Sequence, residues 1–494
     1  MSDASPAGAL LARTRHRLRP DSSRTLCRLF VPGQETLIRG GSRAMAVIDR
    51  VLELSEQETE ATLARTLARF SGRHRDLAET FEQNFELVAH RLGAGIRMGR
   101  SRRQLIGAYF TQEYALEAAA LFNPSIVAHP DQEGCLPGEV RFIMSLRAVG
   151  EGHLSSIEFR TGTIGAESEI CLDPPGRFLD TGRHRPVSYD RGLFADKLAE
   201  LGHADENARF LWNCLPSPFT AAELDAALTE LSRQRVTRED SAVLADRARW
   251  IAASSYTVEF DEDRALSERV LWPAGPAESH GMEDARFVRF TDGEGPVYYA
   301  TYTAFDGSQV APHLLETSDF RTFTVSPLSG PSARNKGMAL FPRRIAGRYA
   351  ALSRWDRESN AIGYSDDGHR WSKAVTVQAP ARPWELIQLG NCGSPIETPE
   401  GWLVLTHGVG PMREYAIGAI LLDLDEPEHL IGALPEPLLI ADASEREGYV
   451  PNVAYSCGSM LHRETVVLPY GCSDSSVRIA TVSLSLLLDR LTPG

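Results

Sequence analysis

The chain has 494 residues, 43% hydrophobic and 24% charged, with a formal net charge of −14, the composition of a globular protein with one large domain or two to three ordinary ones. That acidic balance argues against a nucleic-acid footprint, which needs a basic face, but not against a small anion held by a few local arginines. No stretch approaches the roughly 18 consecutive apolar residues of a membrane span, and the seven cysteines lack CxxC spacing, so no membrane anchor, metal site or disulfide framework is expected.

Residues 1–35 read as a flexible tail. The short apolar piece Ala7–Ala12 precedes Arg13, Arg15, Arg17 and Arg19, the reverse of a secretory signal, so a cytoplasmic location is expected. Residues 36–120 read as an N-terminal helical region. Ser55 with Glu58 makes a capping-box start, and Leu63, Leu67 and Phe70 follow at helical spacing. Leu77, Phe81, Phe85, Val88 and Leu92 form a second stripe. Ser101 with Gln104 opens a third helix expected to run through Tyr109, Tyr114 and Leu121.

At Phe122 the period changes from helical to alternating, and a two-strand unit then appears five times. The first copy is Asn123-Pro124-Ser125-Ile126-Val127 with Val140–Leu146, ending at Arg147. The second is Glu283–Phe290 with Val297–Thr303. The third is Ala339-Leu340-Phe341-Pro342 with Arg348–Ser353, ending at Arg354. The fourth is Gly393-Ser394-Pro395-Ile396 with Trp402–Thr406, ending at His407. The fifth is Val450-Pro451-Asn452-Val453 with Thr465–Tyr470, and Asp474 lies just beyond. A period of about 40–50 residues with roughly four strands each means propeller blades. The expected fold is therefore mainly β: a five-bladed propeller with residues 121–176 as the first blade and 254–494 as the rest. The stretch 177–253, where Thr220 with Glu223 caps the stripe Leu224, Leu228 and Leu231 and a second helix covers about 237–252, reads as a mainly helical insertion between blades one and two.

Equivalent ends of such repeats converge on one funnel, so Arg147, Asp284, Arg354, His407 and Asp474 are expected together, and ionisable groups packed in one pocket need mutual pairing or a task. Within Gly281-Met282-Glu283-Asp284-Ala285-Arg286, strand alternation puts Asp284 and Arg286 on one face and Glu283 on the other.

As an ordered set these segments resemble glycoside hydrolase family 130, the β-mannoside phosphorylases and related hydrolases. The resemblance rests on Gly281–Arg286, Lys336–Pro342 with Arg354, Gly393–Trp402 leading to His407-Gly408, Gly418–Asp425, and Glu447–Val453 with Tyr470-Gly471 and Asp474. It covers about 254–494, and Asn123–Arg160 looks like the family's first blade. It implies a five-bladed propeller that cleaves β-mannosides with inversion, Asp284 as general acid, its proton relayed through a hydroxyl of the mannosyl ring. It implies inorganic phosphate as co-substrate, held by Lys336, Arg354 and His407, and no other cofactor. Arg147 and Asp474 would hold sugar hydroxyls, with Glu283, Arg286 and Tyr470 as further expected substrate-binding residues. The sequence departs from the family's pattern in three places. Gln388, nineteen residues before His407, stands where the phosphorylases have a lysine, for which Arg413 is a candidate substitute. Lys336 stands where an arginine is frequent, with Arg334 close by. Ala285 replaces the proline of the acid motif.

Two other functions stay open from sequence. An inverting hydrolase would need a carboxylate base about 6.5–9.5 Å from the acid, for which Glu385, Glu397 and Glu414 are candidates. A non-enzymatic carbohydrate-binding propeller is the other. The expected partners are a mannoside or oligosaccharide and phosphate, with no nucleic acid and no membrane; a homo-oligomer is left open.

Overall fold

The computed structural model describes residues 10–32, 43–92, 97–233, 241–292 and 295–493. Parts of the expected tail (1–9 and 33–35), the start of the expected helical region (36–42), residues 237–240 of the expected second insertion helix and Gly293-Glu294 lie outside the described residues.

The structure is mainly β. Apart from the separate pair Thr25–Leu29 and Thr111–Ala115, the main strands fall into five antiparallel groups met in chain order. The first is Ala120–Ala128, Val140–Val149 and Ser155–Ile164, with Ile170–Leu172 at its edge. The second is Gly281–Thr291, Pro296–Phe305, Val310–Thr317 and Thr322–Pro327, extended outward by Tyr256–Glu259 and Arg183–Arg185. A single parallel pair, Gly281 with Ser155, joins these two. The third is Ala339–Leu340, Tyr349–Ser353, Asn360–Ser365 and Val375–Gln378. The fourth is Gln388–Asn391, Gly401–Val409, Tyr415–Leu422 and Leu430–Ala433. The fifth is Ala454–Tyr455, Thr465–Cys472 and Ser476–Ser483, and its outer strand is Leu11–Leu18.

The apolar faces of these groups meet in cyclic order, which is what strands with two hydrophobic faces require. Phe159 and Ile143 of the first group pack with Phe287 and Tyr298 of the second. Val288 and Leu314 of the second meet Leu340 and Ala351 of the third. Leu352 and Ile362 meet Trp402 and Val404 of the fourth. Leu403 and Ile417 meet Val466 and Leu468 of the fifth. Val467 and Ile479 of the fifth then meet Ile126 and Met144 of the first.

Two expectations are corrected. The stretch 1–35 is not simply a tail, because Leu11–Leu18 pairs with Ser476–Ser483 and Thr25–Leu29 pairs with Thr111–Ala115. Arg13 further reaches the buried Glu445 at 3.3 Å. The third helix stops at Tyr109, since Tyr114 belongs to the strand opposite Leu26; its ladder bonds and burial override a stripe that fitted helical spacing equally well.

Helices α1 (Arg43–Leu52), α2 (Glu56–Phe70), α3 (Leu77–Val88) and α4 (Arg100–Tyr109) share their own core around Ile48, Leu63, Phe81 and Ile106, and the Ser55–Glu58 capping box is formed. Helices α5 (Arg191–Glu200), α6 (Glu206–Cys214), α7 (Ala221–Arg233) and α8 (Ser241–Ala253) form another core around Leu198, Leu211, Leu228 and Leu244. Lys197 of α5 donates to the Leu328 carbonyl at 2.8 Å, and Asp196 meets Arg370 at 3.0 Å, so this layer docks on the second and third groups. No helix among the described residues is long and apolar enough to cross a membrane.

The α3–α4 contact is close because Gly107 has no side chain: a Cβ there would lie 1.7 Å from the Phe81 carbonyl oxygen, which is backbone and cannot swing away. Gly107→Ala is expected to destabilise the helical layer by about 2 kcal/mol or more, read as a lower unfolding temperature in calorimetry.

Candidate active site

A cavity of about 710 Å³ is lined by residues of all five groups. Each group supplies part of its lining: Asn123 and Arg147 from the first, Asp284 from the second, Lys336, Arg354 and Arg357 from the third, Gln388, His407, Arg413 and Tyr415 from the fourth, and Val453, Tyr455 and Asp474 from the fifth. Thus the five residues at the ends of the sequence repeats do meet in one place.

Asp284 reaches the cavity through a β-bulge. Glu283 pairs with Thr303 and Arg286 with Thr301, so two residues, Asp284 and Ala285, stand opposite one. Asp284 takes a left-handed backbone with φ 57°, uncommon for a side-chain-bearing residue and a mark of functional sites. The bulge breaks strand alternation, which corrects the expected separation of the two acids. Arg147 contacts both, at 2.7 Å to Glu283 and 3.2 Å to Asp284. The first group repeats the device. An extra residue sits between Phe122 and Ser125, and Asn123 has φ 48°; its amide donates to Asp284 Oδ1 at 2.7 Å.

The cavity has two chemically different walls. On the first, Lys336 meets Glu283 at 2.5 Å, and Glu283 and Asp284 share Arg147, so these cations are already paired. Burial pushes the Asp284 carboxyl up, but Arg147, Arg286, Lys336 and the Asn123 amide outweigh it and hold it below the usual carboxylate range. Burial, then the neighbouring Asp284 charge, pushes Asp474 up to about 6 against the pull of Arg147 and Arg413. On the second wall Arg354, Arg357 and Arg413 carry no ion pair among the described residues. Arg354 is 8% exposed and donates to the carbonyls of Leu389 and Arg357, both at 3.0 Å. His407 is buried beside it, and burial with the Arg354 and Arg286 charges holds its ring well below the ordinary histidine range.

Three expected site residues do not line the cavity. Tyr470 is fully buried in the core between the fourth and fifth groups, and its hydroxyl donates to Glu445 at 2.6 Å; strand alternation turns it away from the cavity. Arg286 lies beneath the cavity, bound to the Asp284 carbonyl (3.1 Å), the Asn391 side chain (3.2 Å) and the Tyr455 hydroxyl (2.6 Å), so it acts through its neighbours. Glu283 is 6% exposed and reaches the site only through Arg147 and Lys336. No repeat or motif pointed to Arg357, Tyr415 or Tyr455, which also line the cavity. Gln388 does line the cavity and donates to the Tyr415 hydroxyl at 3.2 Å. Among the described residues no cluster of three or more His, Cys, Asp or Glu is arranged to hold a metal.

Residues 256–492 match the sequence profile of the glycoside hydrolase 130 family, described as β-1,4-mannooligosaccharide phosphorylase. The chain is 30% identical over 247 residues to the 1,2-β-oligomannan phosphorylase of Thermoanaerobacter sp. (strain X514), a match spanning 48% of this chain and 80% of that protein. It is 30% identical over 237 residues to a β-1,2-mannobiose phosphorylase of Listeria innocua, spanning 45% of this chain and 63% of the relative. The solved complex of Listeria innocua β-1,2-mannobiose phosphorylase with β-1,2-mannobiose overlays at TM-score 0.43 and 21% identity, over 76% of this chain and 92% of that one.

The charge arrangement fixes the sign of one stability effect. Asp474 has a folded-state pKa of about 6 against an ordinary 3.8. A raised pKa means that its contribution to stability is fully present at low pH and is lost as pH rises toward and through 6. Asp474→Asn is therefore expected to raise the unfolding temperature at pH 7–8 and to change it little at pH 4, measured by calorimetry at both.

Proposed function

The chain belongs to glycoside hydrolase family 130, and from that membership and the two-walled cavity we propose that it is an inverting phosphorylase of β-mannosides, releasing α-mannose 1-phosphate. The five antiparallel groups are the blades of a five-bladed propeller. Their support is the cyclic order of shared cores, from the first pair round to the fifth group against the first.

The observation that carries this function is the wall of unpaired guanidinium groups, Arg354, Arg357 and Arg413, in the same cavity as Asp284. An inverting cleavage needs an acid on one face of the sugar ring and a nucleophile on the other. When phosphate is the nucleophile, the second face needs a cationic cradle rather than a base, and arginine matches phosphate oxygens with paired N–H groups. Arg354, Arg357 and Arg413 supply that charge, with the neutral His407 ring beside Arg354 as a further contact. Lys336, expected there from sequence, is tied to Glu283 and serves more to fix the acid side.

Asp284 is the general acid. In the free cavity its neighbours hold it ionised. A phosphate bound against Arg354 brings negative charge into the same cavity, which raises the Asp284 pKa toward that of a working acid. Asn123 fixes one carboxylate oxygen, so the proton leaves from a set position, toward a mannosyl hydroxyl that relays it to the departing oxygen. Arg147 and Asp474 hold hydroxyls of the same ring. The glutamates that a hydrolase would call on are not placed for it. Glu385 accepts from Ala381, Arg382 and the Arg382 side chain, Glu397 pairs with Arg343 at 2.8 Å, and neither they nor Glu414 line the cavity.

Incubation with β-linked mannobioses is expected to consume substrate only when phosphate is present. Asp284→Asn is expected to lower kcat by about 10²–10⁴-fold in a protein that still folds, with an unfolding temperature at neutral pH below that of the wild type because the ionised carboxylate is stabilised by its neighbours. Release of free mannose at the same rate without phosphate would make the protein a hydrolase, and full activity in a folded Asp284→Asn protein would remove Asp284 from the acid role.

A further inference from the structure

An anion site is expected to present donors, yet this wall also holds one bare acceptor. His407 lies on the strand Gly401–Val409 and is 1% exposed. Its Nδ1 stands 3.1 Å from the carbonyl oxygen of Asn391. A carbonyl oxygen only accepts, so Nδ1 carries the hydrogen and donates it. The buried ring, beside Arg354 and Arg286, is held neutral, and a neutral imidazole has one N–H. Nε2 is therefore a lone pair. It is buried, and it has no hydrogen-bond partner among the described residues.

The orphaned nitrogen is next to the cations. A Cβ on Gly390 would lie 2.4 Å from Arg354 Cδ and 2.6 Å from His407 Cε1, so both side chains crowd over this one backbone position. Two turns bring up the remaining guanidinium groups, each in left-handed backbone: Arg357 has φ 73° and Arg413 has φ 58°. Arg357 is aimed by its Nε bond to Asn335 Oδ1 at 2.9 Å, which leaves its terminal nitrogens free. Left-handed backbone on side-chain-bearing residues is strain that functional sites tolerate.

We propose that this wall selects an oxyanion that carries a proton, hydrogen phosphate or an isostere such as arsenate, over fully deprotonated sulfate. The bare oxygens face Arg354, Arg357 and Arg413, and the P–OH donates to His407 Nε2. Sulfate at neutral pH would set an oxygen lone pair against the nitrogen lone pair and leave a buried polar atom unpaired. The same arrangement parks the phosphate proton on the His407 side, which leaves a deprotonated oxygen free to attack the anomeric carbon. The assignment deepens the phosphorylase reading and rests on it.

The test is calorimetric titration of the full chain with phosphate, arsenate and sulfate at matched ionic strength near pH 7. Phosphate and arsenate are expected to bind alike and sulfate about tenfold or more weakly, the size expected from one unpaired buried acceptor. Sulfate binding as tightly as phosphate would overturn the proposal while leaving phosphorolysis intact. His407→Gln supplies the second arm, since an amide can donate or accept by turning over. In that variant the preference for phosphate over sulfate is expected to collapse while phosphate still binds, and an unchanged preference would overturn the role of His407. Failure of the phosphorylase reading looks different: the wild-type protein would bind neither phosphate nor arsenate and would cleave β-mannosides without them, and the proposal would fall with it.

Discussion

The centre of the molecule depends on one buried guanidinium. Arg286 is always charged, and taking such a group out of water costs several kcal/mol unless its hydrogens are satisfied. At 2% exposure it is satisfied by groups from distant parts of the chain: the carbonyl of Asp284, the side chain of Asn391 and the hydroxyl of Tyr455. Asn391 in turn donates to the Gly337 carbonyl at 2.6 Å. The second, fourth and fifth groups and the approach to the third are thereby tied at one point. Removing any of these partners leaves a buried charge wanting, so the positions of the first strands are set together. The Asp284 carbonyl is among the groups held, and this fixes the bulge whose left-handed turn lifts the Asp284 carboxylate into the cavity.

Above that hub, charge is sorted rather than balanced. One wall spends its cations internally, Lys336 on Glu283 and Arg147 on Glu283 and Asp284. The other wall holds Arg354, Arg357 and Arg413, which have no ion pair among the described residues. Strands gathered around one cavity make this division possible, because each group brings side chains from a distant part of the sequence to the same place. One cavity thus holds both a carboxylate and guanidinium groups that have no ion pair among the described residues.

Much of this was legible in the chain because repeats expose geometry. The switch from helical to alternating period at Phe122 and the recurring units foretold a mainly β protein whose equivalent ends converge, and Arg147, Asp284, Arg354, His407 and Asp474 line one cavity. The failures have physical causes. Alternation misassigned Glu283 and Asp284, because a bulge adds a residue that no periodicity reveals. Tyr470 carries no mark distinguishing a core hydroxyl paired with Glu445 from one that meets substrate. Leu11–Leu18 looked like a charged tail because this outer strand is only half-buried at Leu11, Thr14, His16 and Leu18 and exposes its arginines. Arg357 escaped notice because its place depends on a turn conformation, not on spacing.

The most direct test of the two-walled cavity is the anomeric configuration of the first product, followed by proton NMR in the opening minutes of a reaction with a β-mannobiose and phosphate. Acid and anion on opposite faces of the ring require inversion, so α-mannose 1-phosphate is predicted. A β-configured phosphate would mean that the sugar is held between the walls with retention, through an intermediate that this arrangement of Asp284 and the arginines does not provide.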